Sequence, residues 1–420
     1  MKILLVLNKP NREQPIMEAI KKEILHLKPD AIIEILAQFP TGFSFNKYVF
    51  NFKPDVILTF PFKCIGFSQW YYLFKFFLKT KVIIFPTEGV LNFSNERDIE
   101  GACGIDRYGK KLVDNELFWG GWTAKKCTKH LLLQGKISSQ DRIGVCGYPR
   151  LESYFTNESH QKSPLPGRIQ NKISNYTKES VILFISGFQI GNYSTQNFHD
   201  AGDLNMKDYS HVFINAMEMA KRFRNKWIFN VKKTALENPD NLIVCKIHPI
   251  ERKEDYYNEY QGIKNILLVY EGIQLPDLMD YVGVLFHYGS TTLVDSYLSK
   301  TPSVFVYTDE SSIWYSDYGW PSSEKIKVNE IPSAVKKYLK GDIVFEMNSN
   351  IKKVLLDIFN IEYGKKYRPS MEIAKIILDK TPPQKIYITD PYFLKAVTSI
   401  IYARTLGRFV NLFKKIKRQF

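Results

Sequence analysis

Leu285-Phe-His-Tyr-Gly-Ser-Thr-Thr-Leu-Val-Asp-Ser-Tyr-Leu-Ser-Lys-Thr-Pro-Ser-Val-Phe-Val306 reads as a buried strand, a turn at Gly289, a helix opened by hydroxyl residues and a second buried strand. Unpaired N–H groups at a helix N-terminus carry partial positive charge, so such a turn is ready to receive an anion. Ser290, Thr291 and Thr292 add hydroxyl donors there. Upstream, Leu242-Ile-Val-Cys-Lys-Ile-His-Pro249 sets His248 at the end of another apolar strand, with Lys246 and Arg252 beside it. Pro249 ends that strand rigidly and aims the imidazole outward. Two strand ends bearing phosphate-friendly groups point to a nucleotide mono- or diphosphate at the rim of a parallel sheet.

Working outward, residues 1–160 alternate short apolar runs with helical stretches. Strands are expected at Ile3–Asn8, Ala31–Ala37, Asp55–Phe60, Lys81–Phe85 and Arg142–Gly147, with helices at Gln14–Leu27, Ser68–Leu78 and Thr123–Gln134. This is the pattern of right-handed βαβ units on a parallel sheet. Residues 161–178 turn polar, with Pro164, Pro166 and Gly167, and read as a linker. The alternation resumes over 179–365, with a helix at Tyr209–Arg224 among its elements; further helices are expected over 366–403, packing back on the first domain. The fold class is therefore α/β, two Rossmann-like doubly wound domains facing across a cleft.

The end differs in character. Residues 404–420 hold six basic residues and no acid, with Leu406, Phe409, Val410, Phe413 and Ile416 at helical spacing. A basic amphipathic tail suits an anionic membrane surface. The helix around Phe67-Ser-Gln-Trp-Tyr-Tyr-Leu-Phe-Lys-Phe-Phe77 is aromatic on nearly all faces, which is the mark of a core helix and, as the alternative, of a membrane or acceptor platform.

Composition bounds the partners. With 420 residues, two domains are the default. A formal charge of +15 calls for an anionic partner. The charge is spread thinly outside the tail and no nucleic-acid-binding motif is present, so nucleic acid is set aside. The five cysteines form no Cys-x-x-Cys, which argues against a disulfide framework or zinc site and fits a reducing cytoplasm. No run reaches the roughly 18 apolar residues of a membrane span. Phosphate-loop, dinucleotide-binding and metalloprotease motifs are missing, as is any Asp-x-Asp pair at a strand end, so no metal is expected.

Several strand-end groups could carry chemistry. Glu88, in Pro86-Thr-Glu-Gly89, follows an apolar strand where a base could take the proton of a sugar hydroxyl. In Gly147-Tyr-Pro-Arg-Leu-Glu152, Arg150 can hold a phosphate or carboxylate bidentately and Glu152 is a second carboxylate. A pair such as Glu88 and Glu152 could divide nucleophile and acid/base roles. Each has a plainer reading as a cap or a surface ion pair. His248 could donate to a phosphate or steady the leaving nucleotide. Glu271, in Tyr270-Glu-Gly272, is placed to take a ribose hydroxyl pair, and His287 reads as buried or supporting.

Over residues 1–380 the order of these motifs resembles the GT-B glycosyltransferases of bacterial surface-carbohydrate assembly, above all the retaining β-Kdo transferases and more distantly the polysialyltransferases. The resemblance rests on Thr87-Glu88-Gly89, Gly147-Tyr-Pro-Arg150 with Glu152, His248-Pro249 and His287-Tyr-Gly-Ser-Thr-Thr292. It implies transfer of a CMP-activated ulosonate, Kdo or sialic-acid-like, onto a surface polysaccharide or lipid-linked glycan, with no cofactor. It implies that His248, Pro249, Gly289, Ser290, Thr291 and Thr292 hold the CMP phosphate, aided by Lys246, and that Glu88 and Glu152 do the chemistry. It also implies a cytoplasmic enzyme bound peripherally to the inner face of the cell membrane. Two departures stand out. This chain has Gly-Tyr-Pro-Arg and Glu152 where the family has Gly-Asn-Pro-Arg and an aspartate, and its Ser-Thr-Thr turn occurs in many related folds. A CDP-glycerol-type polyol-phosphate transferase and a non-catalytic scaffold subunit therefore stand as alternatives, while a nucleotide-sugar epimerase of similar architecture ranks below them, because its carboxylate-rich interdomain site and lack of a membrane tail do not match.

Overall fold

The computed structural model describes residues 1–7, 10–37, 43–60, 65–86, 112–133, 142–155, 165–188, 191, 210–248, 251–270, 273–289, 291–310, 321–362, 364–391, 393–394, 396–398 and 400–401. The chain divides into two compact units, Met1–Glu152 with Leu355–Phe420, and Ser153–Val354. The boundary thus falls after Glu152, ahead of the polar stretch expected as a linker. That stretch contains a helix, Gly167–Ile173, because Ile169 and Ile173 have an apolar face to bury with Leu165.

The first unit is a parallel sheet of β1 (Lys2–Leu7), β2 (Ile32–Ala37), β3 (Val56–Thr59), β4 (Lys81–Ile84), β5 (Asn115–Phe118) and β6 (Ile143–Val145), in the order β2-β1-β3-β4-β5-β6. Its helices are α1 (Pro10–Leu27), α2 (Phe43–Phe52), α3 (Ile65–Leu78) and α4 (Gly121–Leu133). Inner strands of a parallel sheet are covered on both faces and read as continuous apolar runs. Leu4, Val6, Ile57, Val82 and Ile84 point to one face, where Phe45 and Val49 of α2 and Tyr71, Tyr72 and Phe74 of α3 cover them. The aromatic helix α3 is therefore largely core. Two elements were not expected from the sequence: β5, whose Asn-Glu-Leu-Phe is short and half polar, and α2, a ten-residue helix whose stripe of Phe45, Tyr48, Val49 and Phe52 packs on the core.

The second unit runs α5 (Gly167–Ile173), β7 (Val181–Ile185), α6 (Ser210–Glu237), β8 (Leu242–Lys246), α7 (Lys253–Tyr260), β9 (Ile266–Val269), α8 (Leu275–Met279), β10 (Val284–His287), α9 (Leu293–Ser299), β11 (Ser303–Tyr307), β12 (Glu324–Lys327) and α10 (Ile331–Leu339). Its sheet is also parallel, in the order β12-β11-β10-β7-β8-β9. Ile182, Phe184, Ile243, Cys245, Val284 and Phe286 meet Phe223, Trp227 and Val231 of α6 on one face. Val181, Leu183, Val244 and Leu285 meet α5 and α8 on the other. Helix α6 continues past the expected end at Arg224 because Trp227, Ile228, Val231 and Ala235 keep its apolar stripe in the core, while its polar residues find partners by bonding back into the helix. Asn230 Nδ2 donates to the Lys226 carbonyl and Thr234 Oγ1 to that of Asn230, both at 2.8 Å. Strand β12 (Glu-Lys-Ile-Lys) went unread because it lies at the sheet edge and buries only Ile326 among its charges. The chain then returns to the first unit with α11 (Ser349–Phe359) and α12 (Pro369–Leu378), and α12 packs on α1.

A buried ion pair ties the first unit together. Lys75 of α3 donates to Asp114 Oδ2 at 2.5 Å and to the Leu112 carbonyl at 3.0 Å. The Asp114 carboxylate also accepts the N–H groups of Val82 at 2.8 Å and Gln384 at 2.7 Å. One side chain thus joins β4, α3 and the returning chain. Burial pulls the Lys75 ammonium down from 10.5 to about 8, against the opposing pull of Asp114. Removing one partner of such a pair strands the other charge in a low dielectric. Asp114→Ala is expected to lower the unfolding free energy by about 3–5 kcal/mol in a urea titration. Because folded Lys75 holds its proton less tightly than the unfolded chain does, stability contributed by this group rises as pH climbs from about 8 to 10.5. Lys75→Met should flatten the stability profile in that window.

Candidate functional site

In the second sheet the strand order reverses between β7 and β10, the place where open α/β sheets leave a crevice at the carboxyl ends of the strands. The residues there are Ser186, Gly187 and Phe188 after β7, Lys246 to His248 at the end of β8, and Tyr288 and Gly289 after β10. Gly289 has φ 61°, a backbone state favoured for glycine, and turns the chain sharply out of the strand. Gly187 serves a different need. A Cβ there would lie 2.9 Å from the Tyr288 ring, whose hydroxyl donates to the Gly187 carbonyl. Phe188 stacks on Tyr288 at 4.6 Å between centroids and meets Phe223 and Trp227 of α6 edge-on.

Glu251 knits these strand ends together. It is buried, accepts the Phe188 N–H at 2.9 Å and the Tyr256 hydroxyl, and is hydrogen-bonded to Ser186. Its own N–H donates to the His248 carbonyl at 2.9 Å. Ser186 Oγ accepts the His248 N–H at 3.1 Å, and the Ser186 N–H donates to the Lys246 carbonyl at 3.1 Å. The end of β7 and the end of β8 are thereby locked to one carboxylate. Burial raises the Glu251 carboxyl above the usual range, and the hydrogen bonds of Tyr256, Ser186 and Phe188 pull it back.

The hydroxyl turn is less simple than the sequence implied. Thr291 and Thr292 are half-buried, and the Thr292 side chain does not cap α9. The carbonyls of Thr291 and Thr292 accept the N–H groups of Val294 and Asp295. Asp295, fully buried in the first turn, accepts the Tyr154 hydroxyl at 2.9 Å. A carboxylate at that position opposes the partial positive charge of the seven-residue α9. The helix dipole at this turn is thus already offset by a residue of the helix itself. His287 is fully buried beside Ser322, 3.2 Å from its Oγ, and burial pushes its imidazole down to about 3, so it stays neutral. Ser290, Pro249 and Glu271 lie outside the described residues; Tyr270, next to Glu271, has the Lys253 ammonium 5.0 Å above its ring.

In the first unit Glu88 also lies outside the described residues. The chain leading to it is held at Pro86, whose carbonyl accepts the Trp119 indole N–H at 2.7 Å. Trp119 stacks on Tyr148 at 3.8 Å, and the Arg150 guanidinium sits 5.6 Å over the Tyr148 ring. Glu152 has both oxygens engaged: Oε1 accepts the Ser370 N–H at 2.6 Å and Oε2 the Ser370 hydroxyl at 2.9 Å. It caps the start of α12, and burial raises its carboxyl. Among the described residues no group of three or more His, Cys, Asp or Glu is placed to hold a metal ion.

No protein-family model and no curated protein matches the chain. Solved structures do match its architecture. MnaA of S. aureus, in a UDP co-structure, superposes with a TM-score of 0.51 at 13% identity over 92% of this chain and 100% of its own. UDP-GlcNAc 2-epimerase of Methanocaldococcus jannaschii, in complex with UDP-GlcNAc and UDP, gives 0.53 at 12% identity, covering 90% and 99%. The wall teichoic acid polymerase TagF, soaked with CDPG, gives 0.51 at 12% identity, covering 90% and 87%. At these identities the likeness is one of fold: the chain has the two-unit, doubly wound α/β architecture of GT-B proteins.

The Glu251 network yields a direct expectation. Glu251→Ala leaves the Phe188 N–H and the Tyr256 hydroxyl without acceptors, at about 1–3 kcal/mol each, so chemical denaturation should show a loss of about 2–6 kcal/mol. Glu251→Gln keeps an acceptor for Phe188 and should retain most of the stability. In the first unit, Ser370→Ala removes one bond of the α12 cap and should cost about 1 kcal/mol in the same measurement.

Proposed function

We propose that the chain is a glycosyltransferase that takes its sugar from a nucleotide-activated donor and works in bacterial surface-glycan assembly. The observation that carries this reading is the placement of Lys246 and His248 at the end of β8 and of the Gly289 turn at the end of β10, on either side of β7 at the switch point of the second sheet. That the fold neighbours were solved with UDP, UDP-GlcNAc or CDPG supports a nucleotide-linked ligand. Lys246, His248, Pro249, Gly289, Ser290, Thr291 and Thr292 are assigned to the nucleotide phosphate and Glu271 to ribose. Glu88 is kept as the acid/base group and Arg150 for a carboxylate of the sugar. Glu152 can act as a nucleophile only after releasing Ser370, so we assign it first to holding α12. The donor favoured by the motif resemblance is a CMP-linked ulosonate, Kdo or sialic-acid-like, and no metal or other cofactor is assigned. The acceptor would be a polysaccharide or lipid-linked glycan at the inner face of the membrane, where the basic stretch 404–420 anchors the enzyme to anionic lipid. No helix among the described residues is long and apolar enough to cross a membrane.

A second reading, polyol-phosphate transfer from a CDP-glycerol-type donor, draws support from the TagF fold likeness with CDPG. A phosphodiester-linked product would select it over the glycosidic one. A thermal-shift panel of CMP, CDP, UDP and GDP tests the binding claim. A nucleotide at roughly 100 times its dissociation constant adds about 2.7 kcal/mol, a rise of a few degrees at this size. CMP should stabilise the protein and His248→Ala should abolish the response. A response to UDP or GDP alone would replace the donor, and silence throughout would favour a scaffold subunit.

A further inference from the structure

The first unit carries an exposed apolar surface that is built from two parts of the chain. Helix α3 buries Tyr71, Tyr72 and Phe74 against the sheet, yet its last turn leaves Phe77 62% exposed. Residues within 391–401 are helical and bury Phe393, Ala396 and Ile400, while Leu394 and Ile401, seven apart and hence on one helix face, are 47% and 59% exposed. The two helices touch through Phe76 and Phe393, with centroids 4.5 Å apart, and Phe76 meets Phe77 edge-on at 5.0 Å. Just before the second helix, Ile386 is buried in the same core, while Tyr387 is exposed and Ile388 is 63% exposed. Single exposed apolar residues are ordinary; here five are carried by residue 77 and residues 387–401, two segments that the Phe76–Phe393 contact joins.

The charge around this surface is mainly basic; Asp390, the acid within it, accepts the Phe393 N–H at 3.4 Å, and Asp379 faces Lys81. Lys79 donates to the Phe76 carbonyl at 2.9 Å and its ammonium lies 5.3 Å over the Phe76 ring. Lys380 and Lys385 are exposed on the approach to Ile386. Asp390 is the last acid in the chain; from 391 to 420 the sequence holds Lys395, Arg404, Arg408, Lys414, Lys415, Lys417 and Arg418 with no Asp or Glu. Apolar side chains ringed by basic groups, and continuous in sequence with a basic stretch, complement an anionic lipid surface: the apolar groups enter the acyl boundary while Lys and Arg stay at the headgroups.

We propose that the exposed face formed by Phe77, Tyr387, Ile388, Leu394 and Ile401 is a membrane-docking surface for anionic phospholipid, so that the folded first unit, and not only the stretch 404–420, sets the protein on the bilayer. This extends the peripheral-membrane part of the reading above and does not depend on the transferase chemistry. The two contributions differ physically. The basic stretch acts through charge, which salt screens. The apolar face acts through burial of hydrocarbon, which salt does not screen.

The test is vesicle sedimentation of the full chain on phosphatidylcholine–phosphatidylglycerol vesicles, at low and high salt. Four proteins are compared: wild type; Phe77→Ser/Ile388→Ser/Leu394→Ser; a chain ending at residue 403; and Phe229→Ser/Leu236→Ser, which removes two comparably exposed side chains of the second unit. The triple variant should bind about tenfold or more weaker at either salt, the shortened chain should keep a salt-resistant fraction, and the second-unit variant should match wild type. Wild-type partitioning by the triple variant would overturn the proposal, as would equal losses in the triple and second-unit variants. A wild type that ignores vesicles but dimerises through this face, with the triple variant monomeric in sedimentation velocity, would also overturn it in favour of a second copy. Should the triple variant fold poorly, hydrogen exchange on wild type decides: vesicles should protect 73–79 and 386–401, and unchanged exchange there would sink the idea.

Discussion

A carboxylate sealed from water, Glu251, holds the ends of β7 and β8 in register, and Lys246 and His248 are placed by that hold. Ser186, Phe188 and Tyr256 spend hydrogen bonds on it, and its backbone N–H fixes the His248 carbonyl. A buried charge of this sort is tolerated only where donors surround it. Once surrounded, it is intolerant of movement, because every shift of a strand end breaks a bond to it. Lys246 and His248 therefore leave β8 in a fixed direction. The Phe188–Tyr288 stack carries the same rigidity across to β10 and the Gly289 turn.

The first unit repeats the device with other residues. Asp114 gathers the Lys75 ammonium and two backbone N–H groups, and in doing so binds the returning chain to β4 and α3. Glu152 gathers the N–H and hydroxyl of Ser370 and fixes the start of α12. Each of these acids joins segments far apart in sequence. Apolar packing decides that the strands are strands. The buried carboxylates decide which loop end meets which.

This division explains how much could be read in advance. Strands such as Val181–Ile185 and Leu242–Lys246 are near-continuous apolar runs, so composition alone exposes them, and the turn after β10 announces itself through Gly289 and its hydroxyls. The register of helix α6 beyond Arg224 was hidden because Asn230 and Thr234 look like breakers until their back-bonds are seen. Glu251 was hidden for a related reason. Its only sequence signal is a place three residues after His248, in His-Pro-Ile-Glu, and a glutamate in a loop ordinarily faces water. Likewise Trp119, which anchors Pro86 and stacks on Tyr148, sits in a short half-polar run that gave no strand signal. The Thr291–Thr292 turn shows the reverse: a legible motif whose electrostatics depend on Asp295 and Tyr154, partners that only the fold brings together.

The central claim is that a nucleotide phosphate binds at the ends of β7, β8 and β10 in the second unit. A crystal structure of the chain soaked with CMP tests it most directly. The account predicts the phosphate oxygens within hydrogen-bond distance of His248 or of the residue 289–292 turn. A nucleotide seated elsewhere, with both of those groups untouched, would contradict it.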